Sequence, residues 1–139
     1  MKIKQPGSKN CFVCGRENHL GLKLDFYTTQ PGQVRAEIHI PRDYEGYPGI
    51  VHGGIIAAIL DETAGRAYLD DPNHFMVTAQ LNVRYRKPVP IATDLVALGE
   101  ATGGRGSVNK AHSEIQALTG EVLAEADLVL ADIPEERLL

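Results

Sequence analysis

The chain is poor in residue types on which several classes of protein depend. It has no tryptophan, only two methionines and only two cysteines among 139 residues. Two cysteines cannot form a disulfide framework, so the fold must be held together by a packed apolar core. A chain of this length is large enough to bury such a core as one domain.

Long apolar runs and an excess of basic residues are also missing. No stretch approaches the roughly 20 apolar residues of a membrane span, and the first residues, Met-Lys-Ile-Lys-Gln-Pro-Gly, lack the apolar centre of a signal peptide. The 14 Lys and Arg residues are outnumbered by 18 Asp and Glu residues, which argues against general nucleic-acid binding. We therefore expect a cytoplasmic protein that has neither nucleic acid nor membrane as a partner.

What the chain does contain is a series of strand patterns around one helix. The predicted elements are, in chain order, strands at residues 20–28 and 34–40, a helix at 53–69 that ends near 70–72, strands at 75–86 and 95–101, a glycine turn at 103–106, and a hairpin of 108–117 and 122–131. Strands and helices do not alternate, so a parallel α/β sheet is disfavoured. The predicted class is α+β, with one antiparallel sheet wrapped around one long central helix. The uncovered sheet edges favour self-association.

These patterns divide the chain into three parts. Residues 1–19 form a lead-in whose first ten residues are polar and predicted to be mobile, residues 20–133 form the domain, and residues 134–139 form a charged tail. The strand at 75–86 shows the clearest alternation. One predicted face carries Phe75, Val77, Ala79, Leu81, Val83 and Tyr85, and the other carries Met76, Thr78, Gln80, Asn82, Arg84 and Arg86.

The functional signal lies in the stretch Gly49-Ile-Val-His-Gly-Gly-Ile-Ile-Ala-Ala-Ile-Leu-Asp-Glu62. Its helix is apolar on nearly every side, as in a buried helix, and the glycines at its start leave backbone N–H groups open to an anion. Asp61 has only alanine and glycine three and four residues away, which leaves room for a substrate or a partner helix. Asp61 is therefore the candidate reactive carboxylate. The alternative is a surface carboxylate on an exposed stripe of the helix.

The neighbouring polar residues have more ordinary interpretations. Glu62 lies four residues before Arg66, a spacing that favours a structural ion pair. His52 precedes the helix, where it can cap the backbone, contact a substrate carbonyl beside Gly53, or do both. His52 and Asp61 are nine residues apart in sequence, about 13 Å along a helix. They can act on one carbonyl only if a two-fold dimer brings the glycine end of one chain to Asp61 of the partner subunit.

The residues from Pro48 to Glu62 resemble the signature of the hotdog-fold acyl-CoA thioesterases, in the PaaI-like branch of the 4-hydroxybenzoyl-CoA thioesterase superfamily. In that branch a His-Gly-Gly triplet precedes the helix, and an acidic residue follows nine positions after the histidine, where Asp61 stands. The later stretch Val77-Thr-Ala-Gln-Leu-Asn-Val-Arg-Tyr-Arg-Lys-Pro-Val-Pro90 resembles the strand that follows the helix in this family. The resemblance covers about residues 20–131.

The resemblance implies a homodimer, or a dimer of dimers, that hydrolyses an acyl-CoA thioester to a free acid and CoA. It implies no cofactor other than the CoA of the substrate. The Gly53 N–H would form the oxyanion site, and Asp61 of the partner subunit would act as general base or as nucleophile. Thr78 would hold the water or the carboxylate, unless it is an ordinary β-branched strand residue.

Further residues are candidates for contacts with the substrate. Glu45 is the nearest polar residue in the loop where the family often has Asn or Gln. The basic side chains are candidates for the CoA phosphates, or else form a solvated row of charges. The full set is Gly54, Glu45, Glu62, Arg84, Arg86, Lys87 and Arg105.

Cys11 and Cys14 form a Cys-x-x-Cys pair that is followed by His19. A structural zinc site needs four ligands and a second pair is absent, while a redox pair would stand where a strand enters a helix. We therefore expect no metal, and both thiols are predicted to pack as small apolar groups. A metal site completed across a subunit interface is the alternative.

Two other functions on the same fold have different requirements. A non-catalytic acyl-CoA-binding or sensing protein would keep the pocket but would not need Asp61. A hotdog dehydratase or hydratase would need a histidine and an acid that converge on the same substrate carbons, and the sequence offers no second well-placed histidine. The carboxylate at position 61 therefore favours the thioesterase.

Overall fold

The computed structural model of the protein describes residues 2–69 and 76–133. In chain order the elements are β1 (Ile3–Lys4), β2 (Tyr27–Gln30), β3 (Gln33–His39), α1 (Gly53–Gly65), β4 (Met76–Tyr85), β5 (Asp94–Arg105), β6 (Val108–Ala117) and β7 (Val122–Asp132), with short 3-10 turns at Arg42–Tyr44 and Arg66–Tyr68. The strands form one antiparallel seven-stranded sheet in the order β1-β2-β3-β5-β6-β7-β4. The predicted antiparallel sheet with one central helix is confirmed. Within the described ranges no helix has the length and apolar character needed to cross a membrane.

Alternating apolar residues on the strands face α1 and form the core. The second predicted strand is confirmed as β3, which turns Val34, Ala36 and Ile38 inward. The hairpin of β6 and β7 is confirmed as well. α1 buries Ile56, Ile59, Leu60, Thr63 and Ala64.

The backbone of α1 lies directly on the sheet at Gly99 of β5. A Cβ atom added there would lie 2.5 Å from the carbonyl oxygen of Thr63, so only glycine fits. Beside this contact the Ser113 hydroxyl donates to the carbonyl of Leu60 at 2.7 Å. The contact and the hydrogen bond together fix where α1 sits across the sheet.

The first predicted strand, at residues 20–28, is wrong for most of its length. β2 begins only at Tyr27, and the preceding backbone is irregular. Lys23 adopts a left-handed φ of 53°, which breaks the pleat of an extended strand. Leu24 and Phe26 are nevertheless buried, so the alternation identified inward-facing residues correctly although no strand forms there.

The lead-in is ordered and packed, contrary to the predicted mobile segment. β1 pairs with β2, and the side chain of Arg66 donates to the carbonyl of Pro6 at 3.1 Å and to Gln5 at 3.2 Å. These long-range partners could not be identified from a polar decapeptide. The lead-in is therefore attached to the end of α1.

Two boundaries differ from the prediction. α1 ends at Gly65 and continues as a 3-10 turn, so the helix is shorter than the predicted 53–69. Its predicted end at residues 70–72, the start of the next strand at Phe75 and the charged tail at 134–139 lie outside the described residues. The glycine turn predicted at 103–106 is displaced: β5 runs on to Arg105 through a register shift between Ala101 and Gly103, and the turn to β6 is at Gly106 and Ser107.

β4 contains a bulge that the regular alternation did not predict. Thr78 pairs with Leu130 and Gln80 pairs with Val129, so two residues of β4 lie opposite one residue of β7. Thr78 therefore lies on the same face as Leu81, the face turned toward α1. The predicted assignment of Thr78 to the opposite face is wrong for this reason.

β4 is also an exposed edge of the sheet. It pairs with β7 on one side, and no other described strand pairs with its free edge. Val77, Leu81 and Tyr85 remain 44%, 37% and 55% exposed. An edge strand with exposed apolar side chains favours pairing with another chain.

Candidate active site

The loop before α1 is folded so that the helix begins with one free N–H group. His52 is the N-cap, and its Nδ1 accepts a hydrogen bond from the Gly54 N–H at 2.9 Å. Glu45 closes the loop by accepting from the Gly49 N–H at 2.9 Å. The Gly53 N–H has no acceptor among the hydrogen bonds of the described residues. It lies at the positive end of the helix dipole, where a negatively charged group is favoured.

This helix tip lies at a groove of about 870 Å³. Tyr85 crosses from β4 and donates its hydroxyl to the Gly53 carbonyl at 2.8 Å. The groove walls are mostly apolar, with charged side chains at one end. The groove is lined by Glu45, Tyr47, Ile50, His52, Gly53, Ile56, Tyr85, Arg86, Lys87 and Val89.

Asp61 lies in a different and smaller cleft, of about 280 Å³. The Thr78 hydroxyl donates to Asp61 Oδ1 at 2.5 Å, which the bulge in β4 makes possible by turning Thr78 toward the helix. Asp61 is partly buried, and the cleft is also lined by Gly65 and Met76. Asp61 thus lines a cleft between α1 and β4, and its catalytic role stays a prediction.

One chain does not bring the two halves of this arrangement together. Gly53 and Asp61 are eight residues apart in α1, about 12 Å along its axis, and they open into separate depressions. β4 runs beside both, because Tyr85 contacts the first and Thr78 the second. Both depressions therefore adjoin the free-edged strand.

Glu62 has the structural role that its spacing predicted. Its Oε2 accepts from Arg66 Nε at 2.8 Å, which confirms the ion pair, and Arg66 is 5% exposed and stacked over Phe26. Its Oε1 accepts from the Cys11 thiol at 3.7 Å. These contacts occupy both carboxylate oxygens of Glu62.

The basic residues proposed for phosphate contact occupy different places. Arg86 and Lys87 line the groove at the helix tip and pair with Glu125 at 3.1 Å and Glu121 at 2.6 Å. Arg84 pairs with Asp127 at 3.3 Å across the strand, away from the groove. Arg105 is exposed at the end of β5 and lines neither depression.

Tyr85 is a groove residue that the sequence interpretation missed. The alternation placed it only on the apolar face of the strand, and it is 55% exposed because β4 is an edge strand. The available signal was its position two residues before Lys87, at the end of the strand next to the Pro88 turn.

A second group of ionisable residues lies on the face of the sheet opposite α1. His112 contacts Asp127 at 2.9 Å and Glu114 at 2.8 Å. Burial lowers the pKa of His112, but the hydrogen bonds to the two carboxylates outweigh it and raise that pKa above its ordinary value. Burial raises the pKa of Glu114, and hydrogen bonds from His112 and Gln116 outweigh this and lower it. These contacts hold β6 and β7 together and lie apart from the helix tip and Asp61.

Comparisons with known proteins agree with this architecture. The Thioesterase superfamily model matches residues 48–124, more than half of the chain. Acyl-coenzyme A thioesterase THEM4 of Rattus norvegicus is 44% identical over 96 residues, which are 68% of this chain and 41% of that protein. The chain thus spans less than half the length of this curated relative.

Solved structures show the same fold. A thioesterase superfamily protein superposes with a TM-score of 0.81 at 28% identity, covering 89% of this chain and 61% of that one. A hypothetical thioesterase protein from Streptococcus pneumoniae, crystallised with coenzyme A, gives 0.72 at 18% identity, covering 80% of this chain and 89% of that one. With the antiparallel sheet around α1, these matches show that the chain belongs to the thioesterase superfamily and has its hotdog fold.

Proposed function

We propose that the protein hydrolyses acyl-CoA thioesters to a free acid and CoA, as the name of its THEM4 relative states for that protein. The observation that carries this proposal is the pair of half-sites on α1. A free N–H stands at the helix tip, and a carboxylate held by a hydroxyl stands two turns further on. A protein that only binds acyl-CoA would not need the carboxylate.

The reaction follows from what each group can do. The thioester carbonyl oxygen accepts from the Gly53 N–H, which stabilises the negative charge that develops on it. Asp61 takes a proton from water as the water oxygen attacks the carbonyl carbon. The carbon–sulfur bond then breaks, and the thiolate of CoA leaves and takes up a proton. Direct attack by the Asp61 carboxylate is the alternative route, with an anhydride that water then hydrolyses.

The active site is shared between two subunits in this proposal. Two copies that meet edge to edge at β4, about a two-fold axis perpendicular to that strand, run their helices antiparallel and place the Gly53 end of one helix opposite Asp61 of the partner subunit. The exposed edge and apolar side chains of β4 support this arrangement. The CoA phosphates then lie near Arg86 and Lys87 at the rim of the groove.

Removing the hydroxyl of Thr78 tests how Asp61 is held. Thr78→Val keeps the β-branched shape of the side chain and deletes its hydrogen bond to the carboxylate. A hydrogen bond to a charged group contributes about 1.5–3 kcal/mol, so we expect kcat for acyl-CoA hydrolysis to fall about 10- to 100-fold. Thr78→Ser is the matched control and should retain most of the activity. An unchanged kcat in Thr78→Val would show that this hydroxyl has no part in the reaction.

Mixed dimers test whether two chains build each site. Asp61→Asn and Gly53→Pro chains, each inactive alone, are co-expressed with different affinity tags. A random mixture is half heterodimer, and each heterodimer has one site with both native groups, so we expect about a quarter of wild-type activity. Purified heterodimer should reach about half. If each chain contained a complete site, the mixture would stay inactive.

A panel of acyl-CoAs with a thiol reagent tests the reaction itself. Release of free CoA from at least one member, at a rate that depends on enzyme concentration, is the expected result. Measurable binding of several members without any release of CoA would instead identify a non-catalytic acyl-CoA-binding protein.

A further inference from the structure

Three potential metal ligands meet where the lead-in touches α1. The Sγ atoms of Cys11 and Cys14 and a carboxylate oxygen of Glu62 all lie within 4.8 Å of one another. The Cys11 thiol donates to Glu62 Oε1 at 3.7 Å. Cys14 is buried and Cys11 is partly buried, and neither forms a disulfide. The third ligand comes from far along the chain, which is why the spacing of the cysteines did not predict it.

The loop that carries the two thiols is closed so that both point to one place. The Cys14 N–H donates to Cys11 Sγ at 3.4 Å, and the Gly15 N–H donates to the Cys11 carbonyl at 2.8 Å. A Cβ atom at Gly15 would lie 2.5 Å from the Cys11 nitrogen, so glycine is required for this turn. The closed turn therefore holds both sulfur atoms beside a carboxylate oxygen of Glu62.

We propose that Cys11, Cys14 and Glu62 bind one zinc ion, with water as the fourth ligand. Zinc takes thiolate sulfur at about 2.3 Å and carboxylate oxygen at about 2.1 Å, so a tetrahedral site places sulfur and oxygen about 3.6 Å apart. The separation between Cys11 Sγ and Glu62 Oε1 is 3.7 Å. Three protein ligands with a water in the open position is a known pattern for this metal.

The charges around the site balance when zinc is bound. Two thiolates and one carboxylate carry three negative charges, and zinc supplies two positive ones. The remaining positive charge is Arg66, which is buried and holds Glu62 Oε2 at 2.8 Å. That contact fixes the orientation of the carboxylate, and the metal would take the place of the Cys11 thiol hydrogen at Oε1.

The cluster borders an open space on one side. A groove of about 470 Å³ is lined by Cys14 and by Arg66, the residue that holds Glu62.

Cobalt substitution in the full-length chain tests the site directly. Protein stripped with a chelator under reducing conditions is titrated with Co²⁺, and then with Zn²⁺. We expect thiolate-to-cobalt charge-transfer absorption and tetrahedral d–d bands that saturate at one equivalent and are lost when Zn²⁺ displaces the cobalt. Absence of both sets of bands in reduced wild-type protein would overturn the proposal.

Variants show which residues bind the metal and distinguish this site from the other cluster of potential ligands. Cys11→Ser with Cys14→Ser should abolish the charge-transfer absorption, and Glu62→Gln should weaken zinc binding on the order of tenfold or more. If the double variant does not fold, the wild-type spectrum and Glu62→Gln decide. His112→Gln is the control, because His112 belongs to the other cluster of potential ligands, with Glu114 and Glu125. Loss of binding in His112→Gln, or full binding in Glu62→Gln, would refute the assignment.

Discussion

Replacing Asp61 by asparagine is expected to reduce kcat for acyl-CoA hydrolysis by about 10³-fold, within the range of a lost general base or nucleophile. The amide has nearly the same shape and can still accept from Thr78 through its oxygen, so the packing around α1 is preserved. It cannot take a proton from water or attack the carbonyl. The measurement is CoA release under saturating substrate, beside the melting temperature of both proteins.

Asp94→Asn is the matched control for this variant. The substitution makes the same change of charge at the exposed start of β5. Asp94 pairs there with His39 at 2.9 Å and lines neither depression on α1. It should keep wild-type turnover. If Asp61→Asn turned over as fast as Asp94→Asn, Asp61 would have no part in the chemistry and the proposed mechanism would be wrong.

Replacing Gly53 by proline is expected to reduce kcat by about 10²- to 10³-fold, the usual cost of losing one oxyanion donor. Proline removes the Gly53 N–H, which has no acceptor in the part of the chain that the structure describes. The site accommodates it, because proline is favoured at the first helical position and the preceding His52 has an extended ψ of 136°. The new Cβ would lie 3.6 Å from the Tyr85 hydroxyl, an ordinary contact.

Gly53→Ala distinguishes the loss of the N–H donor from the effect of an added side chain. Alanine adds the same Cβ and keeps the donor, so it should retain most of the activity. KM should change little in either variant if the N–H acts mainly on the transition state. Equal loss in the alanine and proline variants would mean that crowding, and not the missing donor, causes the defect.

The sequence predicted the helix tip and the carboxylate because both are local patterns. The triplet before α1 and the apolar run around Asp61 can be interpreted without knowing which distant parts of the chain they contact. Glu62 and Arg66 lie one turn apart, so their ion pair was also predicted and is confirmed. The burial of Arg66 was not predicted, because it depends on Phe26 and on Pro6, which folding brings from the start of the chain.

The parts that sequence reasoning missed depend on long-range geometry. A regular alternation of apolar and polar residues predicted one unbroken β4, yet the pairing with β7 contains an extra residue. The role of Tyr85 was missed because an edge strand and a central strand have the same pattern, so the alternation did not show that β4 lies at an edge. Whether a basic residue of β4 forms an ion pair or lines the groove depends on its acidic neighbours on β7, as for Arg84 with Asp127.

The bulge in β4 also bears on which changes of length the gene tolerates. Ala79 is the residue that β4 has in excess over β7, because Thr78 and Gln80 pair with the consecutive residues Leu130 and Val129. Deleting Ala79 would therefore give a regular ladder in which Thr78 still faces α1 and still reaches Asp61. A regular pairing that kept Ala79 would instead turn Thr78 to the other face and separate Asp61 from its hydrogen-bond donor.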